Sequence, residues 1–297
     1  MKKIVLYSLL VVVAISLIWY LFLKPYDYLV GFSVIASPGT IEQSIKQWGA
    51  DLENAKFIDP KNKNNITQQF NFNDSIHRYK WEIKRLNDSL TRVNIFVKDI
   101  DNSLYNRIFL PFSEPVFEKR TKNTLYDFHK KLKGHLDNFK VTIVGEDMLS
   151  PTFCVYVSQK GLQIEKAKKM MHDYPLLNQI VANNNIEPNG PPRIEVTRWD
   201  MENDSIIFDF CFPILKGDSL PYHPEIKYKN LKGRKALKAI YNGNYVTSDR
   251  AWYALLDYAK EKGYEVENAP VEIFYNNPNY GGDELNWKAE IFLPLKP

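Results

Sequence analysis

The chain has 297 residues, a formal net charge of +4, 44% hydrophobic and 14% aromatic residues, and two cysteines. That length holds two ordinary domains, and a mild charge spread along the chain argues against a dedicated nucleic-acid binder, which would concentrate Lys and Arg in one stripe. Cys154 and Cys211 form neither a disulfide framework nor a zinc site by spacing, which leaves one bridge or two buried thiols open.

The first element is "IVLYSLLVVVAISLIWYLFL", Ile4 to Leu23, between "MKK" and Lys24. About 20 apolar residues is the length a helix needs to cross a bilayer core, and Trp19 and Tyr20 suit its interface. The run is longer than the core of a cleaved signal, and no small-x-small site follows it, so a single-pass anchor at 4–23 is expected. Lys2, Lys3 and the α-amino group outweigh Lys24, which favours a cytoplasmic N-terminus and an exported body.

Next, "YLVGFSVIAS" alternates as a strand, and "SPGTIEQSIKQW" starts a helix with Pro38 early and Ile41, Ile45 and Trp48 a turn apart. The Asn-rich "DPKNKNNITQQFNFND" suits loops or an exposed edge. "HRYKWEIKRL" and "TRVNIFVKDI" read as two strands joined by a turn at "NDS". From about Phe112 to Phe139, Phe117, Thr121, Leu125, Phe128, Leu132 and Leu136 form the apolar stripe of a helix, weakened locally by Gly134. His77, Trp48 and Trp81 read as packing residues.

This α+β order resembles the SRPBCC (START-like, helix-grip) superfamily over residues 26–142. "SVIASPGTIEQSI", "YKWEI", "SLTRVNIFV" and the closing helix carry the likeness. The resemblance implies a curved antiparallel sheet around a long helix, with an apolar cavity between them. It carries over no catalytic residue.

The second half, 150–297, is written twice, at about 150–215 and 233–297. Each copy has the order strand, helix, strand, strand: "TFCVYVSQKG", Leu162 to Asn184, "PPRIEVTRWD" and "DSIIFDFCFPIL", then "KALKAIYNGNY", Ser248 to Lys262, "PVEIFYNNP" and "LNWKAEIFLPLK". Thr247, Ser248 and Asp249 can cap the later helix and Gly263 can close it, whereas Pro175 is expected to kink or split the earlier one. Asp209 and Glu290 take equivalent places in the two copies, as do Glu195 and Glu272. A duplicated unit of this kind is expected to close about a pseudo-twofold axis.

"YNGNY", Trp252, "PVEIFYNNP" and "AEIFLPL" resemble the GyrI-like domain, the effector-binding domain of AraC- and MerR-type regulators. The resemblance implies a central groove for small, cationic or aromatic molecules, with a buried glutamate on the last strand, which Glu290 matches. Phe274 stands where tyrosine is common in that family. Alternation places Glu290 and Asp209 on the sheet face away from the helices. An unpartnered carboxylate among aromatics stores a demand for a cation.

The candidate ligand-binding residues are therefore Glu290, Asp209, Trp199, Tyr245, Trp252, Phe274 and Phe292, with Trp199 taken to share a face with Glu195. No Ser-His-Asp order, HExxH, P-loop or dinucleotide fingerprint is present, and no metal or cofactor is implied. The leading expectation is a membrane-anchored small-molecule-binding protein that does not contact DNA directly. The alternatives are a GyrI-like hydrolase, with Glu290 as base assisted by Tyr245 or Tyr241, and an envelope scaffold with filled cavities.

Overall fold

The computed structural model describes residues 2–58, 65–87, 90–217 and 219–297, which divide into two compact units, Met1–Lys133 and Gly134–Pro297. In the first unit, helix α1 (Lys2–Ile18) continues through a π-helical turn, Trp19–Leu23. Over Lys3–Leu23 it is long and apolar enough to cross a membrane, and none of that span is buried in the protein.

Strands β1 (Tyr28–Ile35), β2 (Ala55–Phe57), β3 (Asn65–Asn71), β4 (Ile76–Arg85) and β5 (Leu90–Asp99) form an antiparallel sheet in the order β1-β5-β4-β3-β2. Helix α2 (Pro38–Ala50) is capped by Ser37, whose hydroxyl accepts from the Thr40 amide at 3.2 Å. Part of the Asn-rich stretch proves to be a strand. In β3 the side chains of Ile66, Gln68 and Phe70 alternate inward, so polar composition hides a period of two. The rest of that stretch, 59–64, and positions 88–89 of the expected turn lie outside the described residues.

A short helix, α3 (Ser103–Phe109), precedes the long α4 (Val116–Asp137). Phe117, Thr121, Leu125, Phe128 and Leu132 of α4 are all buried. Phe128 fills the interior, its ring 4.9 Å from Trp81 and 5.2 Å from Trp48. The indoles are satisfied locally, Trp48 donating to Asp127 at 2.9 Å and Trp81 to Gln68 at 2.7 Å. His77 is equally buried and 2.9 Å from the Ser75 hydroxyl.

The second unit has one eight-stranded antiparallel sheet. Its strands are β6 (Phe139–Leu149), β7 (Thr152–Leu162), β8 (Arg193–Asp200), β9 (Ser205–Pro213), β10 (Lys227–Leu231), β11 (Arg234–Gly243), β12 (Val271–Phe274) and β13 (Lys288–Pro294). They lie in the order β10-β7-β9-β8-β12-β13-β11-β6. Helix α5 (Lys166–Asn183) follows β7 and α6 (Arg250–Lys262) follows β11, and both cover the same sheet face. Strand β6 pairs with β11, so the stretch before residue 150 belongs to this sheet.

Met170, Leu177 and Val181 of α5 and Trp252, Leu255 and Ala259 of α6 pack on Ile194, Val196, Phe208, Phe210, Ala289, Ile291 and Leu293. The opposite sheet face carries Leu149, Ala236, Val271, Ile273 and Phe292, and the buried free thiols Cys154 and Cys211. Contrary to expectation, α5 runs unbroken through Pro175. Proline removes one helical donor, and the buried face on both sides of it holds the axis together. Gly263 closes α6 at φ 75°, a left-handed cap that glycine adopts without cost. Asp249, at the start of α6, makes no capping bond.

Phe128→Ala removes the ring that three neighbours pack against, Trp48, Trp81 and Phe32. The expected loss is about 3–5 kcal/mol from the first unit's unfolding free energy, measured by urea denaturation.

Candidate functional site

A cavity of about 530 Å³ lies beneath the first turns of α5, at the sheet end where β8 and β13 begin and β12 finishes. Pro191, Pro192 and Phe210 form one side, Tyr245, Phe274, Tyr275 and Trp287 another, and Met170, Met171 and Tyr174 of α5 the roof. Its volume falls in the range of small-molecule sites.

Local sequence sets this wall. The Asn244 side chain accepts from the Val246 amide at 3.0 Å and caps the 3-10 turn Tyr245–Thr247. That turn directs Tyr245 inward, its ring 4.8 Å from Phe274 and 5.9 Å from Trp287. The Tyr245 hydroxyl donates to the Lys288 carbonyl at 2.8 Å and accepts from the Asn276 amide at 3.2 Å. Trp287 donates to the Gly281 carbonyl at 3.2 Å. With their polar atoms engaged by backbone, these residues line the cavity as largely apolar surface. Burial pushes the Tyr245 phenol up to about 12, so it stays protonated at neutral pH. Among the lining residues no carboxylate occurs, and the one charged side chain, Lys168, is exposed.

Of the seven residues expected from sequence, Tyr245 and Phe274 line this cavity. Trp252 is fully buried in the core between helices and sheet. Trp199 is there too, 5.1 Å from the Trp252 ring, its indole donating to Gln163 at 2.9 Å. This corrects the pairing of Trp199 with Glu195. A β-bulge between Val196 and Arg198 inserts an extra residue and reverses the alternation beyond it.

Glu290, Phe292 and Asp209 do not line the cavity. Phe292 packs with Ile273 and Val271 on the sheet face away from the helices. Glu290 is 2.8 Å from Lys288 and 3.2 Å from Lys238. Burial draws its carboxyl upward, but bonds from those two lysines outweigh it and hold it below the usual carboxylate range. Asp209 accepts from Ser158 at 2.6 Å and pairs with Lys229, which also holds Glu195 at 2.5 Å. The demand for a cation expected of these acids is met by lysines of the same chain.

Glu272, read as the counterpart of Glu195, is on the other face. The register sets Glu195 opposite Val271 and Glu272 opposite Ile194. Glu272 is fully buried, 2.6 Å from Lys166 at the start of α5 and 2.8 Å from the Ser248 hydroxyl. Lys166 also donates to Ser248 at 2.6 Å and lies 4.8 Å from the Trp252 ring centre. Burial raises the Glu272 carboxyl against the pull of Lys166. The triad locks α5 to β12 beside the cavity.

Met170, Met171, Tyr174, the proline pair and Trp287 were missed from sequence. Their available signal was position: "NGPPRIEV", "FYNNP" and "LNWKAE" all border strands at one end of the sheet, where loops converge.

Residues 149–296 match the family model described as a GyrI-like small molecule binding domain. No curated protein matches the chain. Similar solved structures include the EcmrR C-terminal domain, at 14% identity over 53% of this chain and 98% of that one, with TM-score 0.44. SAV2435 bound to tetraphenylphosphonium is 10% identical over 53% and 93%, with TM-score 0.37. A hydrolase encoded by lin2189 from Listeria innocua is 11% identical over 57% and 98%, with TM-score 0.32.

Glu272→Gln strands a buried ammonium and is expected to cost about 3–5 kcal/mol. The double variant Lys166→Met/Glu272→Leu should lose less, as denaturant titration of both will show. A second prediction concerns pH. His135 accepts from the Arg250 Nε at 3.3 Å, and burial followed by the Arg250 charge pushes it down to about 4. Its folded value lies below its unfolded one, so stability is full above about pH 6.5 and falls as pH drops toward 4. His135→Gln should flatten unfolding free energy against pH across that window.

Proposed function

Residues 149–296 form a GyrI-like small-molecule binding domain, and from that premise we propose that the cavity under α5 binds a neutral, flat, largely apolar molecule. The observation that carries this reading is the wall itself: six aromatic residues (Tyr174, Phe210, Tyr245, Phe274, Tyr275 and Trp287), two methionines and no carboxylate. Tyr245 and Phe274 stack on the ligand, and the methionines of α5 adapt to its outline. Glu290 lies outside this wall, held by Lys288 and Lys238, and takes no part in binding. Trp199, Trp252, Asp209 and Phe292 support the sheet and helices that shape the site.

Binding rather than turnover is the activity assigned. A general base works best with a pKa near the working pH. Glu290 is held below the carboxylate range, and the Tyr245 phenol is pushed up to about 12.

In the same reading α1 anchors the chain in a membrane with its N-terminus inside. The chain from residue 26 through α4 forms an SRPBCC-like module, which the antiparallel sheet and packed α4 support, and which stops short of the expected residue 142 because β6 belongs to the second sheet. Two repeats, 150–215 and 233–297, are related by a pseudo-twofold axis. The strand order supports this, running β7-β9-β8 and then β12-β13-β11 across the β8–β12 junction.

The test is tryptophan-fluorescence titration of the full chain in detergent with a neutral polycyclic aromatic and a quaternary-ammonium analogue of similar size. The neutral probe should saturate, weaken about tenfold or more in Phe274→Ala, a change of roughly 1.4 kcal/mol, and bind Glu290→Gln nearly as well. Preferential binding of the cation, abolished by Glu290→Gln, would contradict the proposal.

A further inference from the structure

Helix α3 is built inside out. Its two buried side chains are polar, Asn106 and Arg107, whereas Leu104, Tyr105, Ile108 and Phe109 are exposed. Phe112, just beyond the helix, is 86% exposed. Contiguous exposed apolar surface of this kind marks a contact site rather than an ordinary water-facing helix.

The buried polar pair explains the inversion. Asn106 donates to Asp99 at 2.9 Å, and the Asp99 carboxylate also accepts from the Asn102 amide ahead of the helix at 2.9 Å. Arg107 donates through Nε to Asp27 at 2.6 Å. Its remaining nitrogens donate to the carbonyls of Tyr20 at 3.2 Å, Leu21 at 3.0 Å and Lys24 at 2.6 Å. Those carbonyls end the apolar N-terminal helix, where backbone acceptors lack helical donors. Arg107 thus caps that helix and fixes α3 beside its last turn.

We infer that α3 and Phe112 form a second membrane contact, seated in the bilayer interface next to the point where the N-terminal helix emerges. The inference rests on reading α1 as a membrane span. Depth and continuity identify lipid as the occupant. Trp19 and Tyr20 are the aromatic pair expected at the interface, and two of the three carbonyls that Arg107 holds belong to Tyr20 and the residue after it. Phe22 and Leu23 in that same turn are 65% and 67% exposed, so the apolar surface continues from span to α3. The Tyr105 and Phe109 rings lie 4.5 Å apart and tilted at 39°, a paired aromatic surface suited to the headgroup boundary.

The full chain is reconstituted in phosphatidylcholine vesicles carrying spin-labelled lipids, with an environment-sensitive nitrobenzoxadiazole dye on single cysteines introduced as Ile15→Cys, Phe112→Cys and Tyr280→Cys. Cys154 and Cys211 are fully buried, and the unsubstituted chain gives the labelling background. The expected result is loss of most dye emission at position 112 with shallow quenchers, at 15 with deep quenchers, and at 280 with neither. Quenching at 15 without quenching at 112 would leave the span intact and overturn the α3 contact. A blue-shifted dye at 112 that lipid does not quench would also overturn it, in favour of a protein neighbour. Quenching at neither 15 nor 112 would remove the membrane reading on which the contact rests.

Discussion

The buried contact of Lys166 with Glu272 and Ser248 is the constraint on which the ligand-binding unit is organised. All three groups are out of water, and each satisfies the other two. An ammonium and a carboxylate in such a place survive only as a pair. Their bond fixes where α5 begins relative to β12 and to the turn before α6. The next residues of α5 then roof the cavity, and the end of β12 supplies Phe274 and Tyr275 to its wall. A change in the pair is therefore a change in the shape of the site.

The same pairing runs through the rest of the sheet. Lys229 serves Glu195 and Asp209, and Lys238 and Lys288 serve Glu290. The acidic character visible in the strands is consumed internally, and the cavity is left with rings, sulfurs and amides. On the proposed reading, a site of that composition selects by shape and stacking rather than by charge.

Much of this is legible in sequence where periodicity dominates. The stripe on α4, the order strand, helix, strand, strand after residue 150 and again after residue 233, and the Gly263 cap are set by local pattern, and the structure shows each of them. Tyr245 and Phe274, expected from sequence, line the cavity because they flank strand ends within recognisable stretches. What escaped depends on non-local facts. The bulge in β8 turns Trp199 inward, and no residue in "IEVTRWD" announces it. The partner of Glu272 lies 106 positions away, so sequence order alone cannot reveal the pair. Helix α3 has its polar residues inside because their partners, Asp27 and Asp99, are buried elsewhere. Composition would read such a segment in reverse.

The most direct measurement is a crystal structure of the protein soaked with a neutral brominated aromatic, read by anomalous diffraction. The expected result is a bromine peak between Tyr245, Phe274 and Trp287, with Lys166 still bonded to Glu272. A ligand seated instead against Glu290 on the opposite sheet face, or a Glu272 released from Lys166 to meet it, would contradict the claim that the chain neutralises its own acids and keeps an uncharged cavity.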